Sequence, residues 1–161
     1  VFVSSFFKKN KNLKNMTAKT FLDQAAQDEI VCAIKDAEMM TSGEIRLHIE
    51  NYCEEPVLDR AAHIFAKLDM QETNLRNGVL FYIAVKDRQF AILGDIGINI
   101  CVDTCFWDDV KEYTLTHFQR GEFVKGLTNG IRMVGEKLEE NFPYQADDVN
   151  ELSDDISFGD N

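Results

Sequence analysis

Apolar and polar residues alternate one by one along Glu44-Ile-Arg-Leu-His-Ile-Glu50, the pattern of a strand with one buried face. Val79-Leu-Phe-Tyr-Ile-Ala-Val85 is almost wholly apolar, β-branched or aromatic, which predicts a central strand covered on both faces. Lys86-Asp87-Arg88 is a tight turn, and Gln89-Phe-Ala-Ile-Leu93 returns antiparallel as a hairpin. Between the first two strands, Val57, Leu58, Ala61, Ile64, Phe65 and Leu68 recur every three or four positions and predict a helix. Upstream, Ile30, Ala33, Ile34 and Ala37 mark a helix over 20–40. It opens on a capping box, Thr20-Phe-Leu-Asp23, and closes at Thr41-Ser-Gly43. Ile98 to Val102 reads as a short further strand. Phe106, Val110, Tyr113 and His117 predict a third helix, broken at Arg120-Gly121. Phe123, Leu127, Ile131, Val134 and Leu138 predict a fourth, ending before Pro143.

Strand, helix and strand in succession make a βαβ unit, whose right-handed crossover sets its two strands parallel. With the antiparallel hairpin strand and the remaining helices, this predicts an α/β fold. It is a three-layer α/β/α sandwich with a small mixed central sheet, spanning residues 20–143. Residues 144–161 carry six acids and little core material, and read as a mobile acidic tail. Residues 1–19 read as a disordered arm. Its opening VFVSSFFKKNKNLKN places apolar residues ahead of lysines, the reverse of a secretory signal, and Met16 looks like a natural start. No apolar run approaches the roughly 18 residues that span a bilayer, so a cytoplasmic location is expected.

This topology gathers the starts of the first two strands and the end of the third on one rim. Glu44, Asn77 and Asp95 fall there, with Asp103 a few residues beyond. Carboxylates and an amide carbonyl are hard oxygen donors of the kind that Ca²⁺, or Mg²⁺, prefers. Carboxylates this close repel one another, and a cation removes that cost. Each residue also has a plainer reading. Glu44 can pair with Arg46 or Arg76, Asn77-Gly78 can be a turn, Asp95 can shape the Gly94–Gly97 bend, and Asp103 can cap the third helix. The opposite rim carries Glu50, Asn51, Glu54, Glu55, Asp87 and Arg88, which read mostly as solvated loop charges.

Charge narrows the partners. The net charge is −11, and the four arm lysines mask a stronger imbalance: the remaining residues hold 13 Lys and Arg against 28 Asp and Glu. Such a surface repels phosphate backbones and anionic membranes. A divalent cation is the expected partner, with an unidentified protein as a further one. Cys32, Cys53, Cys101 and Cys105 form no CxxC pair and no zinc set, and are expected as reduced thiols mainly in or near the core.

The stretch Leu75-Arg-Asn-Gly-Val-Leu-Phe-Tyr-Ile-Ala-Val through Gly94-Asp-Ile-Gly97 resembles the TPM domain family, also called the thylakoid-lumen-type acid phosphatase family. Thr41-Ser-Gly-Glu-Ile45, Thr73, Trp107, Phe118-Gln-Arg-Gly121, Gly126-Leu127, Phe142-Pro143 and Asn150-Glu-Leu152 extend the likeness over about residues 20–152. It is most similar to short stand-alone bacterial members without signal peptide or anchor. The resemblance implies the same sandwich, a calcium site at Glu44, Asp95 and Asp103, and phosphatase activity or an accessory, interaction role.

Familiar phosphatase machinery is absent from the residues. No cysteine has an arginine six positions on: Glu38, Asp59, Trp107 and Lys111 stand there. There is no Asp-x-Asp pair, no Arg-His-Gly and no Gly-rich phosphate loop. His48, His63 and His117 are spread over a strand and two helices. Hydrolysis would therefore be metal-assisted, with Arg76 neutralising charge on the phosphoryl group. The reading favoured is a cation-binding accessory or interaction module, and the alternative is a metal-dependent acid phosphatase.

Overall fold

Seven consecutive buried residues, Gly78–Ala84, form the middle strand of the sheet, β3. The computed structural model describes residues 15–161 in full and residues 2–5 as backbone. Strand β1 is Phe2–Ser5, β2 is Glu44–Glu50, β4 is Gln89–Gly94 and β5 is Ser157–Phe158. The sheet order is β1-β4-β3-β2-β5. β2 runs parallel to β3, β4 antiparallel to it, and β5 parallel to β2.

Alternation along β3 divides the core. Val79, Phe81 and Ile83 join Ile45, Leu47 and Ile49 of β2 and Phe90 and Ile92 of β4 on one face. Helices α1 (Gln24–Glu38), α4 (Thr104–Gln119) and α5 (Phe123–Asn141) cover that face through Ile34, Phe118, Ile131 and their neighbours. Leu80, Tyr82 and Ala84 point the other way, against Ala61, Ile64 and Phe65 of α2 (Val57–Lys67). The result is the predicted three-layer α/β/α sandwich around a mixed sheet, with β2–α2–β3 as its βαβ unit. No helix among the described residues is long and apolar enough to cross a membrane.

Four local expectations are corrected. Residues 96–99 form a short helix, α3, instead of a strand, because Asp95 accepts from the Ile96 amide and starts a turn. The cap of α1 is Asp23, which accepts from the Ala26 amide at 2.8 Å; Thr20 bonds back to the Thr17 amide. Residues 2–5, read as part of a disordered arm, pair with β4 from Phe2↔Ile92 to Ser5↔Gln89. The rest of that expectation, at residues 1 and 6–14, lies outside the described residues. Cys32, Cys101 and Cys105 are free but exposed, and only Cys53, half-buried against the α2-side core, lies near the core as expected.

The tail also departs from its reading. Residues 150–161 lie along the outer edge of β2 as a strap. Leu152 packs against the α2-side core and Ile156 and Phe158 against the other, so the strap straddles the edge.

Candidate functional site

Three adjacent strand ends build the first rim. Glu44 starts β2 in register with Gly78, its amide donating to the Asn77 carbonyl at 3.4 Å. On the far side the Asp95 amide donates to the Gly78 carbonyl at 2.9 Å. Pleating places Glu44 and Asp95 on the same, α2-side face, one on each side of Gly78. Two strand spacings separate their backbones, roughly 9–10 Å.

The four predicted donors then part company. Asp95 is committed to Arg76 in a two-pronged ion pair, Nε to Oδ2 at 2.7 Å and Nη2 to Oδ1 at 2.9 Å. Arg76 holds a left-handed backbone, φ 52°, which costs a non-glycine residue on the order of 1 kcal/mol. Asp103 is exposed and caps α4, accepting from the Phe106 amide at 3.0 Å. Glu44 and Asn77 are different. Both are buried, and Glu44 Oε2 and Asn77 Oδ1 have no hydrogen-bond partner among the described residues. Thr73 Oγ1, on the loop before Arg76, is buried without a partner as well. Glu44 Oε1 accepts from the Glu151 amide of the strap at 2.7 Å. Arg46, two residues on, also leaves its Nε unpartnered.

Next to Glu44 a cleft of about 350 Å³ opens between the end of α1, the turn into β2 and residues 148–154. Glu38, Glu44, Asp148 and Asp154 stand on its walls, with Lys35 opposite them in charge. Glu38 accepts from the Ile45 amide at 2.7 Å. Its carboxyl is pushed up to about 10, by burial first and then by a hydrogen bond with Asp154. Burial likewise raises Glu44 to about 7. Asp148 and Asp154 were missed in the sequence because the tail read as mobile, and Glu38 because it ends the first helix without a motif of its own. The signal available was Asn150-Glu-Leu152, which falls within the family resemblance. Among the described residues no three His, Cys, Asp or Glu side chains are grouped tightly enough to hold a metal ion unaided.

On the opposite rim Glu54 and Asp87 are exposed, as expected of solvated loop charges, but Glu50 is held in an ion pair. Glu50 is fully buried. Arg60 of α2 grips it with both prongs, at 2.7 and 2.6 Å, and the Tyr82 hydroxyl donates to the same carboxylate. His48 Nε2 lies 3.7 Å away. Burial alone would raise Glu50, but the hydrogen bonds from Arg60 and Tyr82, with His48 nearby, outweigh it and hold the carboxyl at about 2. Burial and the bond to Glu50 push the Tyr82 phenol well above its ordinary value.

The family model of the TPM domain matches residues 16–137. This chain belongs to the TPM domain family. Two solved structures share its fold. The NMR structure of BA42 protein from the psychrophilic bacterium Bizionia argentinensis is 46% identical, with a TM-score of 0.82, covering 86% of this chain and 96% of that one. The solution NMR structure of the N-terminal domain of a protein from P. gingivalis has a TM-score of 0.61 at 16% identity, over 76% and 79% of the two chains, and shares the fold. No curated protein sequence matches the chain. For this TPM domain the match starts at Met16 and stops within α5, so the strap lies beyond the matched region.

The raised and lowered carboxyls have opposite consequences for stability. Glu38 and Glu44 keep their protons longer folded than unfolded, so their contribution is fully present below about pH 4.5. It is lost as pH rises toward 7 for Glu44 and 10 for Glu38. Glu50 works the other way: its contribution is present above pH 4.5 and lost as pH falls toward 2. The melting temperature is therefore expected to peak near pH 5 and to fall on both sides. Calorimetry from pH 3 to pH 9 checks this, and a curve rising monotonically to pH 9 would contradict the assignment.

Proposed function

We propose that this TPM domain binds a divalent cation, calcium before magnesium, at the Glu44 rim and serves as an accessory or interaction module. One observation carries the reading: Glu44 is a buried carboxyl group with a free oxygen, beside a cleft lined also by Asp148, Asp154 and the carboxyl of Glu38. A buried anion without a full set of partners is costly, and a cation offsets that cost. The donors present fit such an ion in chemistry: Glu44 Oε2, the Asn77 carbonyl oxygen and the Thr73 hydroxyl are hard oxygens left without partners. Asp95 joins them where it exchanges Arg76 for the cation. Asp103 has no ligand role in this reading, since capping α4 accounts for it. Asp148 and Asp154 supply outer charge from the strap.

Because Glu44 holds its proton up to about pH 7, the cation competes with a proton. Millimolar calcium is expected to raise the melting temperature by several degrees at pH 8 and by much less at pH 5.5. Glu44→Gln, which keeps the shape and removes the charge, is expected to abolish the rise at pH 8. A shift that survives unchanged in Glu44→Gln, or no shift in the wild type, would reject the reading.

A further inference from the structure

Asp95 is the donor of the Glu44 rim that the chain already supplies with a cation of its own. Arg76 Nε reaches its Oδ2 at 2.7 Å and Nη2 its Oδ1 at 2.9 Å, and the Ile96 amide donates to the same Oδ1 at 2.7 Å. The two partners of this ion pair differ in burial: the Arg76 side chain is 49% exposed and that of Asp95 7%. A guanidinium so placed can leave for water at little desolvation cost. The carboxylate it leaves behind stays buried and needs a new counter-charge.

The ion pair of the opposite rim shows the contrast. There Glu50 also receives the Tyr82 hydroxyl, and Arg60 is better covered than Arg76. At Asp95 the guanidinium is held out from a loop instead of a helix. Arg76 keeps its left-handed backbone between two hydrogen bonds: its amide donates to the Thr73 carbonyl at 3.2 Å, and its carbonyl accepts from the Gly97 amide at 2.8 Å. The loop 73–77 thus brings a positive charge to the rim. On either side of that charge it carries Thr73 Oγ1 and Asn77 Oδ1, two buried oxygens without hydrogen-bond partners among the described residues. Open oxygen donors beside a carboxylate that a half-exposed side chain closes are the parts of one cation site, with an occupant supplied by the chain itself.

We infer that Arg76 is a tethered competitor for the cation, a regulation that rests on the cation reading of this rim. Its guanidinium fills the Asp95 half of the site when no divalent ion is bound and swings into solvent when one binds. Because the competitor belongs to the chain, its effective concentration is fixed, and it sets the level of free cation at which the site opens. It also filters by charge. The guanidinium already delivers one positive charge to Asp95, so a monovalent ion gains little by the exchange and a divalent ion gains more.

Calcium titrations of the ¹⁵N-labelled full chain at pH 8, read by amide NMR, test it in five forms: wild type, Arg76→Gly, Arg76→Gln, Asp95→Asn, and Arg76→Gly combined with Asp95→Asn. Glycine suits the left-handed backbone and glutamine keeps a long uncharged side chain, so a folding failure in one variant leaves the other to decide. Both Arg76 variants are expected to bind calcium about tenfold tighter than the wild type. Arg76→Gly added to Asp95→Asn is expected to bind no tighter than Asp95→Asn alone, because the competitor acts through Asp95. In the wild type the Arg76 Nε–H signal, protected from exchange by its bond to Asp95, is expected to lose that protection as calcium saturates. The inference is overturned, with the cation reading intact, if the wild type binds and the Arg76 variants bind no tighter, if their gain persists without Asp95, or if Nε–H stays protected at saturation. No saturable shift in any form rejects the cation reading itself, and the competitor with it.

Discussion

Arg60→Ala is expected to destabilise the domain by about 3 kcal/mol, a loss of roughly 6–12 °C in melting temperature. Glu50 has no exposed surface, and Arg60 holds it in a two-pronged ion pair. Removing the guanidinium leaves a carboxylate facing only the Tyr82 hydroxyl and, at 3.7 Å, His48 Nε2, and an uncompensated buried charge is among the most damaging changes a core can suffer. The origin of the loss is separable. Glu50→Gln added to Arg60→Ala removes the stranded charge while keeping an acceptor for Tyr82, and is expected to recover much of the stability. If the double variant is no more stable than Arg60→Ala alone, lost packing of the arginine stem is responsible instead. The penalty is also expected to shrink as pH falls from 4.5 toward 2, where the wild type itself loses the ion pair to protonation of Glu50.

Gly97→Ala is expected to cost about 3 kcal/mol, at the top of the range for overpacking. A Cβ at Gly97 would sit 2.1 Å from the Leu75 carbonyl oxygen and 2.6 Å from that of Arg76. Both are backbone atoms, so no rotamer change relieves the clash and the start of α3 must move off the loop. The Gly97 amide also donates to the Arg76 carbonyl at 2.8 Å. The shift would therefore break that bond and pull apart the Arg76–Asp95 pair, which spans the same two segments. Thermal unfolding measures the stability loss. A variant as stable as the wild type would mean that the close approach of α3 to residues 75–76 is not maintained in solution.

The framework was legible because burial in it is periodic. Ile45, Leu47 and Ile49 alternate, the apolar run in β3 lacks a polar face, and α2 and α5 repeat at helical spacing. The strap was illegible for the same reason. Leu152 enters one core and Ile156 and Phe158 the other, so their spacing matches neither a helix nor a one-sided strand. One-off hydrogen bonds from Glu151, Ser157 and Asn161 hold it, and none leaves a periodic trace. Glu44 and Glu50 occupy equivalent positions in the β2 alternation, yet one is left with an unpaired oxygen and the other is clamped. The difference is Arg60, ten residues further on, which local pattern cannot assign. The rim itself followed from topology, since parallel β2–β3 and antiparallel β3–β4 bring Glu44, Asn77 and Asp95 to neighbouring strand ends. Which of them are free is decided by Arg76, whose left-handed backbone turns its side chain onto Asp95.

A calcium titration of the ¹⁵N-labelled full chain at pH 8, followed by amide shifts, tests the central claim most directly. Saturable shifts concentrated at residues 73–78, at Glu44 and Ile45, and at Glu151 are predicted, and they should vanish in Glu44→Gln. Shifts clustered on another part of the molecule, or none at millimolar calcium, would contradict it.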